Sequence, residues 1–259
     1  MKNIKVIIAA HKSFPVSEDP LYLPVFVGSA NKADIGFQRD DEGENISLKN
    51  PYFCELTGLY WAVHNLDADY IGLCHYRRYF ALKKKNKEHP LESVLTLKEA
   101  EELLKKSDII LPKKRNYYIM TIYEHYKNTM YVDPLDEAGR IIAEKYPDYL
   151  AEFERLKVRR SGHMFNMMIM KREILKDYCD WLFDILFELE KRCDVSQYDA
   201  FHQRFFGRVS ERLLDVYLNT NHLSYVEVPL SDLGEVNWWK KGYSFLMARV
   251  FKKKYDRSF

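Results

Sequence analysis

Two short apolar runs, each ending abruptly in polar and basic residues, set the frame for this chain. Lys5 to Ala10 (KVIIAA) gives way to His11-Lys12-Ser13, and Tyr70 to Cys74 (YIGLC) gives way to His75-Tyr76-Arg77-Arg78-Tyr79. A strand without polar alternation is covered on both faces, the condition of parallel strands flanked by helices. Between the two runs, Phe53, Leu56, Leu59, Tyr60 and Val63 recur at helical spacing, and Asn65 closes that helix. The opening therefore reads strand, long loop, helix, strand, which predicts an α/β domain with a mostly parallel central sheet. The loop from residue 11 to about Asn50 is rich in Pro, Asp, Gly and Asn and is broken only by the apolar Leu21 to Val27.

Further along, Thr96-Leu97-Lys98-Glu99 has the form of a capping box and predicts a helix to about Lys106. Ile109 to Leu111 is a third short strand stopped by Pro112. Thr121 to Lys157 reads as helical and Tyr-rich, with Pro134 and Pro147 at helix starts. Met164 to Met170 has strand character, and Arg172 to Arg192 is a long amphipathic helix with Leu175, Tyr178, Cys179, Leu182, Phe183, Leu186 and Leu189 on one stripe. Ser210, as an N-cap, opens a helix to Leu218, and Tyr225 to Val228 is a last strand. No repeat or linker divides the body, so residues 1–236 read as one domain followed by a basic, aromatic tail at 237–259.

Length and charge narrow the setting. The 259 residues are 47% hydrophobic, enough for a full core. Cys54, Cys74, Cys179 and Cys193 form no CxxC pair and sit in apolar stretches, which favours free thiols and a reducing compartment. No segment approaches the roughly 18 apolar residues of a membrane span, and the expected location is cytoplasmic. Of the overall +2, the tail holds seven Lys/Arg against one Asp, or +6, leaving −4 on the rest. That remainder argues against a nucleic-acid binder. The tail's Trp238, Trp239, Tyr243, Phe245 and lysines instead suggest a peripheral contact with an anionic membrane surface, a C-terminal helix packed on the domain with its lysines in solvent being the plainer alternative.

In open α/β sheets, ligands bind beyond the carboxyl ends of the strands. Those positions here carry His11 and Lys12 after the first strand and His75, Arg77 and Arg78 after the second. Guanidinium groups grip phosphate oxygens bidentately, so this cationic group suits a diphosphate, although a surface charge pair answered by local carboxylates would look the same in sequence. Asp67-Ala68-Asp69 has the Asp-x-Asp form of a metal–diphosphate motif but precedes its strand, at the wrong end of the sheet, and reads as a solvated turn. Glu211, in the expected first turn of the Ser210 helix, is a candidate proton acceptor; a first-turn acid favoured by the helix dipole is the plainer alternative. The 19 tyrosines exceed the needs of the core, and stacking on sugar rings is one use for them.

At these residues the chain resembles a bacterial family catalogued as domain of unknown function 4422, related to glycosyltransferase family 111. The segments that carry the resemblance are Lys5 to Lys12, Asn45 to Asn50 (NISLKN), Cys54 to Trp61 (CELTGLYW), Tyr70 to Phe80 with its His-Tyr-Arg-Arg-Tyr block, Asn166 to Met170, and Gly207 to Leu214. The resemblance implies a GT-A-like nucleotide-sugar-binding fold with extra helices. It also implies transfer of a sugar, with UDP-galactofuranose a plausible donor, to a lipid-linked or oligosaccharide acceptor in capsule, exopolysaccharide or O-antigen assembly. Where common GT-A enzymes end the second strand in acidic metal ligands, this chain places His75 to Arg78, so no divalent metal is expected to be required. The resulting expectation is an inverting transferase. His11, Lys12, His75, Arg77 and Arg78 hold the donor diphosphate, Glu211 is the base, and Tyr117, Tyr118, Tyr123, His125 and Tyr126 meet the acceptor. A carbohydrate-binding protein without catalysis is the competing class.

Overall fold

The computed structural model describes residues 2–84, 86 and 88–233. The proposed boundary at residue 236 and the tail at 237–259 lie outside them. The first apolar run forms β1 (Ile4–Ala10), buried at every position except Lys5. The apolar island in the following loop is a strand as well: β2 (Tyr22–Phe26) lies parallel to β1, from Val6 opposite Tyr22 to Ala10 opposite Phe26. Val27 N donates to Ala10 O at 2.8 Å. By the two-residue alternation of a strand, Pro24 then turns its missing donor away from β1. On that outer side β3 (Gln38–Arg39) meets β2 only at Val25 and Phe26, so no ladder bond is lost.

A one-turn helix α1 (Asn50–Phe53) leads into α2 (Leu56–Asn65), whose Leu56, Leu59, Trp61, Ala62 and Val63 are buried against the sheet. β4 (Tyr70–His75) then runs parallel to β1, with His75 opposite Ala9. Gly72 within it is a packing requirement, because a Cβ there would lie 2.7 Å from Met168 O. β5 (Arg78–Phe80) folds back antiparallel on β4. The capping box predicted at Thr96 and Glu99 is formed and opens α3 (Leu97–Leu103).

β6 (Ile109–Pro112) and a two-residue β7 (Arg115–Asn116) follow. The stretch from Thr121 to Lys157 breaks into α4 (Ile122–Thr129), α5 (Asp133–Lys145) and α6 (Leu150–Glu154). A second capping box, Thr121 with Glu124, starts α4. β8 (Ser161–Gly162) pairs with β7, and β9 (Met168–Lys171) begins later than the apolar pattern suggests, because Phe165 and Asn166 take positive φ values of 78° and 53°. The long helix α7 (Arg172–Arg192) buries its predicted stripe in full. The last elements are α8 (Phe205–Thr220), β10 (Val226–Val228) and β11 (Leu230–Asp232).

The main sheet has the order β10-β6-β9-β4-β1-β2-β3, with β5 and β11 attached at its side. Along that order only β9 runs against its neighbours. One edge of the sheet therefore collects the carboxyl ends of β1, β2, β4, β6 and β10 together with the chain entering β9. Helices α2, α7 and α8 cover one face, and α1 is tied to α8 by the Phe53–Phe206 stack at 4.5 Å. The buried His163 ring stands between two carboxylates, Nδ1 2.5 Å from Asp215 and Nε2 2.9 Å from Glu227, and so joins α8 to β10.

Candidate functional site

Loops at the carboxyl edge of the sheet assemble a cationic surface. His11 and Lys12 leave β1 exposed, and the His11 ring meets Tyr76 edge-on at 5.4 Å. Tyr76 also supports Arg77, whose guanidinium lies 5.0 Å from the ring centre. Arg77 is exposed, and among the described residues no carboxylate pairs with it. Burial lowers the His11 pKa, and the positive charges of Lys12, Arg77, Arg204 and Lys32 lower it further. The charges that act on His11 therefore come from segments far apart in sequence.

The other two residues of the His-Tyr-Arg-Arg-Tyr block have structural partners. His75 Nε2 donates to Phe165 O at 2.6 Å, because a carbonyl oxygen can only accept. Arg78 donates from Nε to Asp232 Oδ1 at 2.8 Å and lies 3.8 Å from the centre of the Phe165 ring. The strand end thus presents Arg77 outward, while His75 and Arg78 clamp the left-handed turn that leads into β9.

Beside this surface the loop after β2 is organised by Asp40, which is fully buried. Its carboxylate accepts from Gly28 N, Ser29 N, Ser29 Oγ, Ser47 Oγ and Thr57 Oγ1. Ser47 of the NISLKN segment and Thr57 of CELTGLYW are accounted for here by fold rather than by ligand. Asp40 was not visible as a hub in the sequence, since its four partner residues are spread from Gly28 to Thr57.

The α8 region departs from expectation. The helix starts at Phe205, with no acidic residue in its first turn. Ser210 is not its N-cap: it is buried in the second turn, where its hydroxyl donates to Asn166 Oδ1 at 2.9 Å. Glu211 accordingly sits away from the helix start and is held in an ion pair by the buried Arg212. The apolar Phe205-Phe206-Gly207 extends the helical pattern upstream, because both rings pack in the core and continue the stripe of Val209 and Leu213.

The start of α8 supplies what the sequence reading did not include. Arg204 is exposed, donates from Nε to Cys54 Sγ at 3.0 Å, and acts electrostatically on His11. Burial pushes the Cys54 thiol up to about 11, with Glu55 adding to the shift, so this sulfur stays protonated at neutral pH. Glu55 is next to it, and its Oε1 accepts from Asn166 Nδ2 at 2.8 Å. Asn166 also donates to Gly207 O at 2.9 Å, so it bridges α2, the turn before β9 and α8.

With this geometry in place, comparison with known proteins is informative. Residues 5–222 match the family described as a domain of unknown function, DUF4422. The chain belongs to that family. No curated protein matches the sequence significantly. Among solved structures the fold is similar to that of the WbbM bifunctional glycosyltransferase in its apo form, with a TM-score of 0.80 and 29% identity over 90% of this chain. The chain covers 46% of WbbM, about half of that protein's length. The expected α/β fold with a mostly parallel central sheet is thereby established, on an architecture shared with a glycosyltransferase.

In this DUF4422 chain the five residues assigned to an acceptor do not form one surface. Tyr117, His125 and Tyr126 are buried and cluster round Arg212, with the Tyr117 and His125 rings 4.4 Å apart and Arg212 5.1 Å from the Tyr126 ring centre. Tyr123 is half-buried and donates its hydroxyl to Asp136 at 2.8 Å. Tyr118 is 75% exposed and stands alone among the five as an open ring. At the opposite edge of the sheet, Asp69 accepts from Asn3 N at 2.8 Å and Asp67 pairs with Arg172 at 3.2 Å, which places the Asp-x-Asp far from the cationic surface. Among the described residues, no group of three or more His, Cys, Asp or Glu side chains is arranged to hold a metal ion, and no helix is long and apolar enough to cross a membrane.

Proposed function

We propose that this DUF4422 chain is a nucleotide-sugar-dependent glycosyltransferase whose donor diphosphate rests on the cationic surface at the carboxyl edge of the sheet. The observation that carries the reading is the exposed Arg77 against the same Tyr76 ring that meets His11, with the charges of Lys12, Arg204 and Lys32 also acting on His11 and no carboxylate ion-paired to Arg77 among the described residues. Like charges gathered on one surface raise the energy of the empty protein and favour a polyanion. The site lies where ligands bind in open α/β sheets.

In such a transfer the sugar leaves a nucleoside diphosphate, on which negative charge develops. Fixed cations aimed at that charge lower the barrier, and here Arg77, Arg204 and Lys12 supply them in the place where many enzymes of this architecture use a divalent ion. A UDP-linked donor, galactofuranose among the candidates, and a lipid-linked or oligosaccharide acceptor in surface polysaccharide assembly complete the proposal. Inversion at the anomeric carbon needs one carboxylate to deprotonate the acceptor.

Calorimetric titration with UDP in the presence of EDTA tests the site. Binding that persists without divalent ions and weakens with salt supports the reading; no heat with UDP or any other nucleoside diphosphate contradicts it.

A further inference from the structure

Glu211, the base expected from sequence, is engaged in this geometry by an ion pair with the buried Arg212. We infer that Glu55 takes the acceptor's proton, an assignment that rests on the transferase reading above. Glu55 is half-buried at the start of α2, next to the cationic surface, and among the described residues it forms no ion pair. Arg204 reaches the neighbouring Cys54 and acts on both Glu55 and His11, so the carboxylate lies beside the charges that face the leaving diphosphate.

The structure holds this one carboxylate in place with unusual backbone. Cys54, directly before it, has φ 54° and ψ −130°, and Phe165 and Asn166 have φ 78° and 53°. Of the six non-glycine residues with positive φ among those described, Cys54 precedes Glu55 and Asn166 donates to it. Such conformations persist where surrounding contacts over-determine them, and they gather at functional sites. The Asn166 amide is also fixed in orientation. Gly207 O can only accept and Ser210 Oγ donates to Asn166 Oδ1, so the NH2 must face both Gly207 O and Glu55 Oε1. One oxygen of Glu55 is thus anchored, and the other is left for a substrate.

In the step, the acceptor hydroxyl gives its proton to Glu55 as its oxygen bonds to the anomeric carbon. The bond from that carbon to the donor's phosphate oxygen breaks, and the electron pair leaves with the nucleoside diphosphate against Arg77, Lys12 and Arg204. A purely structural Glu55 would serve only to accept from Asn166.

Glu55→Gln separates the two roles, because a glutamine carbonyl accepts the same bond but takes no proton at neutral pH. The full chain and this variant are compared in UDP affinity by calorimetry and in turnover of a donor that the unaltered protein consumes. We expect UDP affinity within about twofold, kcat lowered about 100-fold or more, and loss of the acidic limb of the kcat profile. Turnover within about threefold of the unaltered protein overturns the assignment, and so does a variant that has lost UDP affinity. If the unaltered protein binds UDP but turns over no donor with any acceptor, the transferase reading falls and the role of Glu55 falls with it.

Discussion

Arg78 donates to Asp232 at 2.8 Å, joining β5 to β11, while its neighbour Arg77 points into solvent. Two adjacent arginines that look equivalent in sequence therefore do different work. Arg77→Ala is expected to weaken UDP binding at least tenfold and leave the urea midpoint unchanged. Arg78→Ala removes an ion pair and a cation–π contact and should lower stability by roughly 1–2 kcal/mol. Calorimetry and urea denaturation of the two variants, run in parallel, check this; equal stability losses would contradict it.

Asp40 offers a test of how the loop after β2 is held. Its two oxygens receive five donors in a site closed to solvent. In Asp40→Asn an NH2 group must face some of those donors, leaving N–H and O–H groups unsatisfied. A loss of roughly 3 kcal/mol in urea denaturation is expected, without change in the order of the main elements by circular dichroism.

Glu211 and Arg212 predict a stability effect where the sequence suggested a catalytic one. Arg212 is 4% exposed, and Glu211 is the carboxylate paired with it. Glu211→Ala leaves that guanidinium buried without its counter-ion, at a cost of roughly 3 kcal/mol. The expected signature is a fall in melting temperature, with UDP affinity retained at a temperature where the variant is folded.

His125 should make stability depend on pH. Burial, then the charges of Arg212, Arg115 and Arg208, depress its pKa from 6.5 to about 3. Below about 6.5 the unfolded chain takes up a proton that the folded chain refuses until about 3. Stability from this group is thus complete above pH 6.5 and falls as pH drops through that window, with a limiting slope of about 1.4 kcal/mol per pH unit. His125→Phe keeps a ring against Tyr117 and should flatten the slope between pH 6 and 4 in urea titrations.

Much of the architecture was legible because it rests on local pattern: the bare apolar runs of β1 and β4, the Thr96 capping box and the stripe of α7 all formed where expected. β2 was hidden by its proline, which is harmless only because β3 leaves that side of Pro24 open. The start of α8 was misplaced because Ser210 looks like a cap and is instead a buried donor to Asn166. Residues that follow a strand, such as His11, Lys12 and Arg77, could be placed at the carboxyl edge of the sheet from sequence alone. Arg204, Glu55 and Asn166 could not. Each reaches the same edge from a different element, and only the tertiary fold sets Cys54 against Arg204 and Asn166 against Glu55.

Turnover tests a metal-independent transferase most directly. Purified protein is incubated with a panel of nucleotide sugars, with and without oligosaccharide acceptors and in EDTA, and release of the nucleoside diphosphate is followed. At least one donor, UDP-linked, is expected to be consumed without divalent metal, and the rate is expected to fall at least tenfold in Arg77→Ala and Arg204→Ala. Activity abolished by EDTA and restored by manganese would contradict the cationic site as the partner of the leaving group, and no release from any donor would contradict the transferase itself.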